Sequence, residues 1–196
     1  MVQPPSGEIT QLLDAARIGQ ADALDRLLAL VYPSLRGMAA HLLQGERQGH
    51  TLQPTALVHE ALIRIFLQQE VHVQDRAHMM ILAGRQMRRV LVDHARARLA
   101  ARRGNGAGSV ELSDEADVAS LDFEGLLILD DLLNHLKEAD PRAFQIVELR
   151  FFSGMTREEV ADRLGITVRT VQRDWEAARA WLIAALGGSR AGNSNV

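Results

Sequence analysis

The 196-residue chain has no cysteine, one lysine, one tyrosine and only 4% aromatic residues. Without cysteine there can be no disulfide, no thiolate metal site and no cysteine nucleophile. No apolar run approaches the ~18 residues that a membrane-spanning helix needs. The opening MVQPPSGEIT has neither the basic nor the apolar segment of a secretory signal, so the cytoplasm is the expected compartment. Alternation of strand type is missing at any length. So are a phosphate loop, a Gly-x-Ser-x-Gly elbow and a dinucleotide fingerprint, and the sequence therefore predicts neither catalysis nor a cofactor. Six of the seven histidines fall between His41 and His94, which raises the question of a metal. His59-Glu60 begins like a zinc-protease motif, but Ile63 stands where the second histidine belongs. His41, His50 and His72 have no ligand-like spacing, so no metal site is expected.

Positive charge is plentiful but local. The chain holds 21 arginines, yet its formal net charge is −3. Residues 1–103 carry a net +4, residues 104–122 carry five acids and no base, and residues 123–196 carry a net −2. Arginine binds phosphate in a fork geometry, although a GC-rich coding sequence would give the same bias. Placement is therefore more informative than the total. The densest stretch, GRQMRRVLVDHARARLAARRG from Gly84 to Gly104, has seven arginines and one acid.

Gly104-Asn105-Gly106-Ala107-Gly108-Ser109 followed by VELSDEADVAS reads as a Gly-rich, then acidic linker. The expected organisation is a helical domain over 1–103, a flexible linker over 104–122 and a second helical domain over 123–187. A disordered tail over 188–196 and a disordered MVQPPS complete it. Four helices are expected in the first half: Glu8–Ile18; Ala21–Leu43, bent at Pro33; Pro54 to Gln69; and one from Asp75 through the arginine stretch. In the third, Leu57, Ala61 and Ile65, flanked by Leu62 and Phe66, form the apolar stripe. The expected fold class is all-α, with two small domains and a flexible link.

At 100° per residue, Arg85, Arg89, Arg96 and Arg103 fall within about 40° of one another. Met87, Val90, Leu91, Ala97 and Ala101 lie opposite, with His94 among them as a core histidine. Like charges on one face repel by a few tenths of a kcal/mol per close pair, a cost that an anionic partner would remove. A merely solvated face is the plain alternative. Val92 and Leu99 point toward the arginine side, which suits a protein or base contact better than water.

The second half holds a sharper pattern, TREEVADRLGITVRTVQRDWEAARAWL, from Thr156 to Leu182. Thr156-Arg157-Glu158-Glu159 is a capping box. Gly165 supplies the φ > 0 residue of a tight turn, Ile166 plugs the angle and Thr167 caps the next helix. Val168, Val171, Trp175, Ala178 and Leu182 recur at helical spacing, which leaves Arg169, Thr170, Gln172 and Arg173 outside. This is a helix-turn-helix, whose second helix brings N-terminal side chains to base edges in the major groove. An αα-hairpin with no role on DNA is the alternative. Leu126–Leu136 and Pro141–Phe152 read as two preceding helices, and the acids in and between them, Asp130, Asp131, Glu138 and Asp140, should not face DNA.

Taken together, LVHEA at Leu57–Ala61, DRAH at Asp75–His78, MRRVLVDHAR at Met87–Arg96, ELRFF at Glu148–Phe152 and the Trp175–Leu182 pattern resemble the extracytoplasmic-function (ECF) sigma factors of bacterial RNA polymerase, most closely their ECF-like subgroup. The resemblance implies a sigma factor that binds core RNA polymerase and directs promoter-specific initiation. It implies that TALVHEALIRIF docks on the β′ clamp helices through Leu57, Glu60, Ile63 and Arg64, and that the second domain reaches the β flap. It implies that Arg85, Arg88, Arg89 and Arg96 hold phosphates at the −10 element of promoter DNA, and that Arg169, Thr170, Gln172 and Arg173 read the −35 element. Family members use aromatic rings to stack on unpaired bases, yet Ala77-His78-Met79-Met80 has none, which leaves His78 as the candidate. Sequestration by an anti-sigma factor is common in the family, although nothing in this sequence identifies one; no membrane contact is expected. Two other readings stay open: a helix-turn-helix regulator acting without polymerase, and a helical adaptor for an acidic protein. The charge distribution adds a further expectation, that the halves pack acid against base when free, with Arg85 or Arg96 engaging the acidic linker.

Overall fold

A computed structural model of the chain describes residues 6–43, 52–67, 73–105 and 123–193. They form eight α-helices, and among them there is no strand. The first half contains α1 (Ser6–Arg17), α2 (Ala23–Leu42), α3 (Pro54–Leu67) and α4 (Arg76–Asn105). The second contains α5 (Phe123–Ala139), α6 (Pro141–Val147), α7 (Arg157–Leu164) and α8 (Val168–Asn193). Helix α2 continues through Pro33. Residues 106–122, most of the expected linker, lie outside the described residues, as do residues 1–5, most of the expected N-terminal disorder. Helix α8 runs to Asn193, and residues 194–196 of the expected tail lie outside the described residues.

Local chemistry sets the boundaries. Gly19, at φ 81°, turns the chain between α1 and α2. The Asp140 carboxylate accepts from the Ala143 N–H at 3.0 Å and Pro141 occupies the first turn, so α6 starts there. Helix α6 then widens into a π-helical segment, Glu148–Phe152, where the Ser153 N–H reaches back five residues to the Glu148 carbonyl at 3.0 Å. The apolar pattern predicts a single helix from Pro141 to Phe152. The single extra residue per turn left no trace in the apolar spacing.

Each half has a core of its own. In the first, Ile9, Leu27, Leu35, Leu57, Met87 and Val90 interlock across α1–α4. In the second, Leu129, Leu133, Phe144, Ala178 and Leu182 join α5, α6 and α8. A third cluster belongs to both halves: Ile146 of α6, Leu149 of the π-helical segment and Val160 and Val171 of the helix-turn-helix enclose Ile81 of α4, with Ala77 against them. The halves are therefore docked, with α4 seated against α5 and the π-helical segment. The sequence pattern foretold two bodies. It did not show that Ile81 completes the core of the other one.

Candidate nucleic-acid interface

The helix-turn-helix is built as its spacing requires. The Glu159 N–H donates to the Thr156 hydroxyl at 3.2 Å, and the Glu159 carboxylate accepts from the Thr156 N–H at 2.8 Å. Gly165 sits in the left-handed region at φ 64°, ψ 35°, and ends α7. Thr167 then takes the Thr170 N–H at 3.1 Å on its hydroxyl, capping α8. Buried Val171, Ala178 and Leu182 orient α8 and fix its opposite side outward.

That outward side holds the four candidate base-reading residues in different ways. Arg169 is exposed. Thr170 shares a 2.9 Å hydroxyl–hydroxyl bond with Thr167 and so serves the cap as well. The Gln172 amide donates to Glu176, one turn on. The Arg173 guanidinium folds back on Asp174 at 2.9–3.0 Å, although its side chain remains largely exposed. Asp174 is buried and also pairs with Arg142 of α6 at 2.9 Å, so it ties the reading helix to its support.

Helix α4 divides its arginines. Arg89 and Arg96 are exposed. Arg85 donates to Glu148 at 3.0 Å while half its side chain stays in solvent. Arg88 is different: its side chain is only 12% exposed. It donates to Asp130 at 2.7 Å and to Glu148 at 3.2 Å, and its guanidinium stands 5.6 Å from the Phe152 ring centre and 5.9 Å from that of Phe144. Arg96 reaches Asp130 at 3.7 Å. Acid does meet base, but among the described residues the acids are Asp130 of α5 and Glu148 of the π-helical segment; the linker acids and the Arg103 side chain lie outside the description. Val92 is buried, and with Arg88 and Leu91 it lines a small gap closed by Leu126, Leu129, Leu133 and Phe152. Its protein partner is thus the other half of the same chain. Ala97 and Ala101, expected opposite the arginines in the core, are exposed, because α4 outruns the bundle there.

At the start of α4, the Asp75 carboxylate accepts from the His78 N–H at 2.7 Å, and the His78 ring Nδ1 accepts from the Gln74 N–H at 3.2 Å. Burial holds the His78 pKa below its ordinary value, and nearby Arg163 of α7 and Arg85 push it the same way against Asp75. Met79 and Met80 are buried in the first core, so neither is on hand to form a base pocket. His94 lies against Phe123, ring centres 5.7 Å apart, and its pKa is also lowered, first by burial and then by Arg98.

The expected face on α3 needs correction at one residue. Leu57 is fully buried in the first core and cannot touch a partner. Glu60, Ile63 and Arg64 share the outer side, where Arg64 joins Glu60 at 2.7 Å and Asp93 of α4 at 2.8 Å. The lone acid of the arginine stretch is thus the counter-ion of α3. Phe66, expected on the apolar stripe, is instead exposed beside Ile63 and Leu67, and enlarges that outer face.

Two contributors were not singled out from sequence. Glu148 is a buried carboxylate whose role shows only once α4 is docked. Arg150 donates to the Met155 carbonyl at 3.3 Å and stands 5.5 Å from the Trp175 ring centre, and burial, with Arg157, lowers its pKa. Its position in ELRFF was the only available signal. Among the described residues no group of three or more His, Asp or Glu is placed to hold a metal, and no helix is long and apolar enough to cross a membrane. The family model described as ECF sigma factor matches residues 6–188. No curated protein and no solved structure matches the chain.

Proposed function

The chain belongs to the ECF sigma factor family, which carries a role in transcription initiation, and from that membership we propose that it binds core RNA polymerase and directs it to promoters of its own. The observation that carries this reading is the family match over both halves together with a helix-turn-helix whose Arg169 faces solvent. In this reading Arg169, Gln172 and Arg173 reach base edges of the −35 element from the first turns of α8, with Thr170 against the backbone. Arginine to guanine and glutamine to adenine are bidentate pairs worth ~1–3 kcal/mol of discrimination each. Arg85, Arg88, Arg89 and Arg96 take phosphates near the −10 element, where the contacts position the DNA and make affinity depend steeply on salt. His78, the one ring in Ala77–Met80, is the stacking candidate for an unpaired base.

Polymerase docking falls to the outer side of α3. Ile63, Phe66 and Leu67 supply apolar area there, and the Glu60–Arg64–Asp93 chain of ion pairs supplies a charged border. An apolar centre with a polar rim is the usual anatomy of a protein interface. The second half would meet the β flap, and an anti-sigma factor would compete for these same surfaces.

Co-elution with core polymerase on gel filtration tests the reading. A stoichiometric complex is expected. A chain that shifts promoter DNA in a gel but never co-elutes with core enzyme would instead be a regulator acting without polymerase.

A further inference from the structure

We propose that the chain carries a binding site for a small aromatic carboxylate, in a cleft between α2, the start of α4 and the turn that leads into α7. The cleft encloses about 330 Å³. Small-molecule sites begin at about 300 Å³, and a cavity of ~150 Å³ already holds a benzene molecule. One ring with a short acid arm therefore fits, and so does a fused bicyclic ring. Three observations set the chemistry.

The first is charge. Arg76 stands on the wall of the cleft and is partly buried. Among the described residues its one hydrogen bond is to a neutral group, the Ser34 hydroxyl, at 3.1 Å. Arg64 and Arg88, also held against the fold, each donate to two carboxylates instead. The remaining N–H groups of Arg76 are left for a ligand. A guanidinium matches a carboxylate best, because two parallel N–H groups meet two oxygens. Glu159 is the one acid among the described lining residues, and it is already engaged: its carboxylate accepts from the Thr156 N–H at 2.8 Å in the cap of α7.

The second is the apolar lining. Met38, Met80 and Met155 are buried there beside Phe151. Thioethers pack well against the edges of aromatic rings and adapt to their outline. Rings already associate at this wall, since His41 meets Phe151 edge-on with ring centres 5.5 Å apart.

The third is space kept open. Gly37 lies in the interior of α2, where glycine is a poor helix former. Gly84 of α4 has a packing reason, because a Cβ there would stand 2.5 Å from the Phe152 carbonyl oxygen. A Cβ at Gly37 would meet nothing within 4 Å. No packed neighbour requires glycine at this position, and what it provides is room in the cleft. Gly154, at φ 64°, likewise keeps the wall supplied by the other half free of a side chain.

The methionines themselves report the site. In NMR spectra of the full chain, isotopically labelled at its methionine methyl groups, phenylacetate and indoleacetate should saturably shift the signals of Met38, Met80 and Met155. Met79 and Met87, which lie in the first core and do not line the cleft, should stay in place. The neutral amides phenylacetamide and indoleacetamide should bind on the order of tenfold more weakly, because a charge-assisted pair becomes a neutral one. Arg76→Gln, which gives up only the Ser34 bond, should cost the acids that same factor and leave the amides unchanged. Gly37→Leu fills the cleft from a position where the first side-chain carbon meets no neighbour. It should abolish the shifts while the thermal midpoint stays at or above that of wild type. No shift with either acid at millimolar concentration overturns the inference. So do shifts that spread to Met79 and Met87, acids and amides that bind alike, and binding that persists in Gly37→Leu. Binding here needs neither polymerase nor DNA, so its failure and the failure of the sigma-factor reading are separate results.

Discussion

Arg88 of α4 holds the carboxylate of Asp130 at 2.7 Å across the junction of the two halves, and the side chains are only 12% and 16% exposed. The pair is buried well enough for the removal of one partner to leave the other uncompensated. Breaking such pairs costs about 3–5 kcal/mol. Glu148 shares Arg88, so Arg88→Ala leaves Asp130 with only the distant Arg96 and Glu148 with only the half-exposed Arg85.

Arg88→Ala is therefore expected to destabilise the docked chain by about 3 kcal/mol or more. The cost falls on the junction first. Urea unfolding followed by circular dichroism should lose its single transition and resolve into two, one for each half. A single transition with an unchanged midpoint would show that the pair does not hold the halves together.

The outer face of α3 separates docking from folding. Ile63 is 56% exposed whereas Leu57 is fully buried. Ile63→Asp should leave stability within about 0.5 kcal/mol of wild type. It should nevertheless weaken core polymerase binding tenfold or more, as expected for a central apolar contact worth about 2 kcal/mol. Leu57→Ala should do the reverse, with a stability loss of about 2–5 kcal/mol. Thermal melts and a polymerase titration measure the two effects side by side.

The two DNA surfaces should respond differently to truncation. Arg169→Ala or Gln172→Ala is expected to relax preference at one base pair each by ~1–3 kcal/mol, roughly fivefold to over a hundredfold. Transcription from templates mutated one base pair at a time in the −35 element measures this. Arg89→Ala should weaken binding to all sequences alike and lower the slope of log affinity against log salt by about one.

Stability should also depend on pH through His78. Its native pKa is held below the ordinary 6.5 by burial, then by Arg163 and Arg85, with Asp75 opposing. The unfolded chain thus binds a proton more readily than the native one. The contribution is complete above pH 6.5 and is lost as pH falls through the lowered native value. The urea midpoint should drop from pH 7.5 to pH 5.5, and His78→Asn should flatten part of that slope. The remainder is expected from His94, whose native pKa is also lowered.

Most of this architecture was legible in the sequence because the signals were local. The Thr156–Glu159 capping box, Gly165 and the spacing from Val171 to Leu182 each concern neighbours within a turn or two and appear in the structure, although Val168, the first residue of the expected stripe, is exposed at the helix start. What escaped depends on contacts between distant segments. Leu57 reads as a docking residue until α4 is laid across it. Phe66 reads as core until the bundle is seen to end short of it. Glu148 reads as one more acid on a helix until Arg85 and Arg88 arrive from more than sixty residues away or close to it. Acid packing on base was foreseeable from the charge blocks, but the choice of Asp130 and Glu148 was not, since charge alone cannot rank one carboxylate above another. Gly84 carried no signal in sequence, because a mid-helix glycine has meaning only beside the backbone it lets in.

The most direct measurement is transcription in vitro with purified bacterial core polymerase on a promoter library, with and without the chain. New transcripts with defined start sites should appear when the chain is added and should disappear when Arg169→Ala and Gln172→Ala are combined. A transcript profile identical to that of core enzyme alone, at concentrations where the chain is folded, would contradict the account.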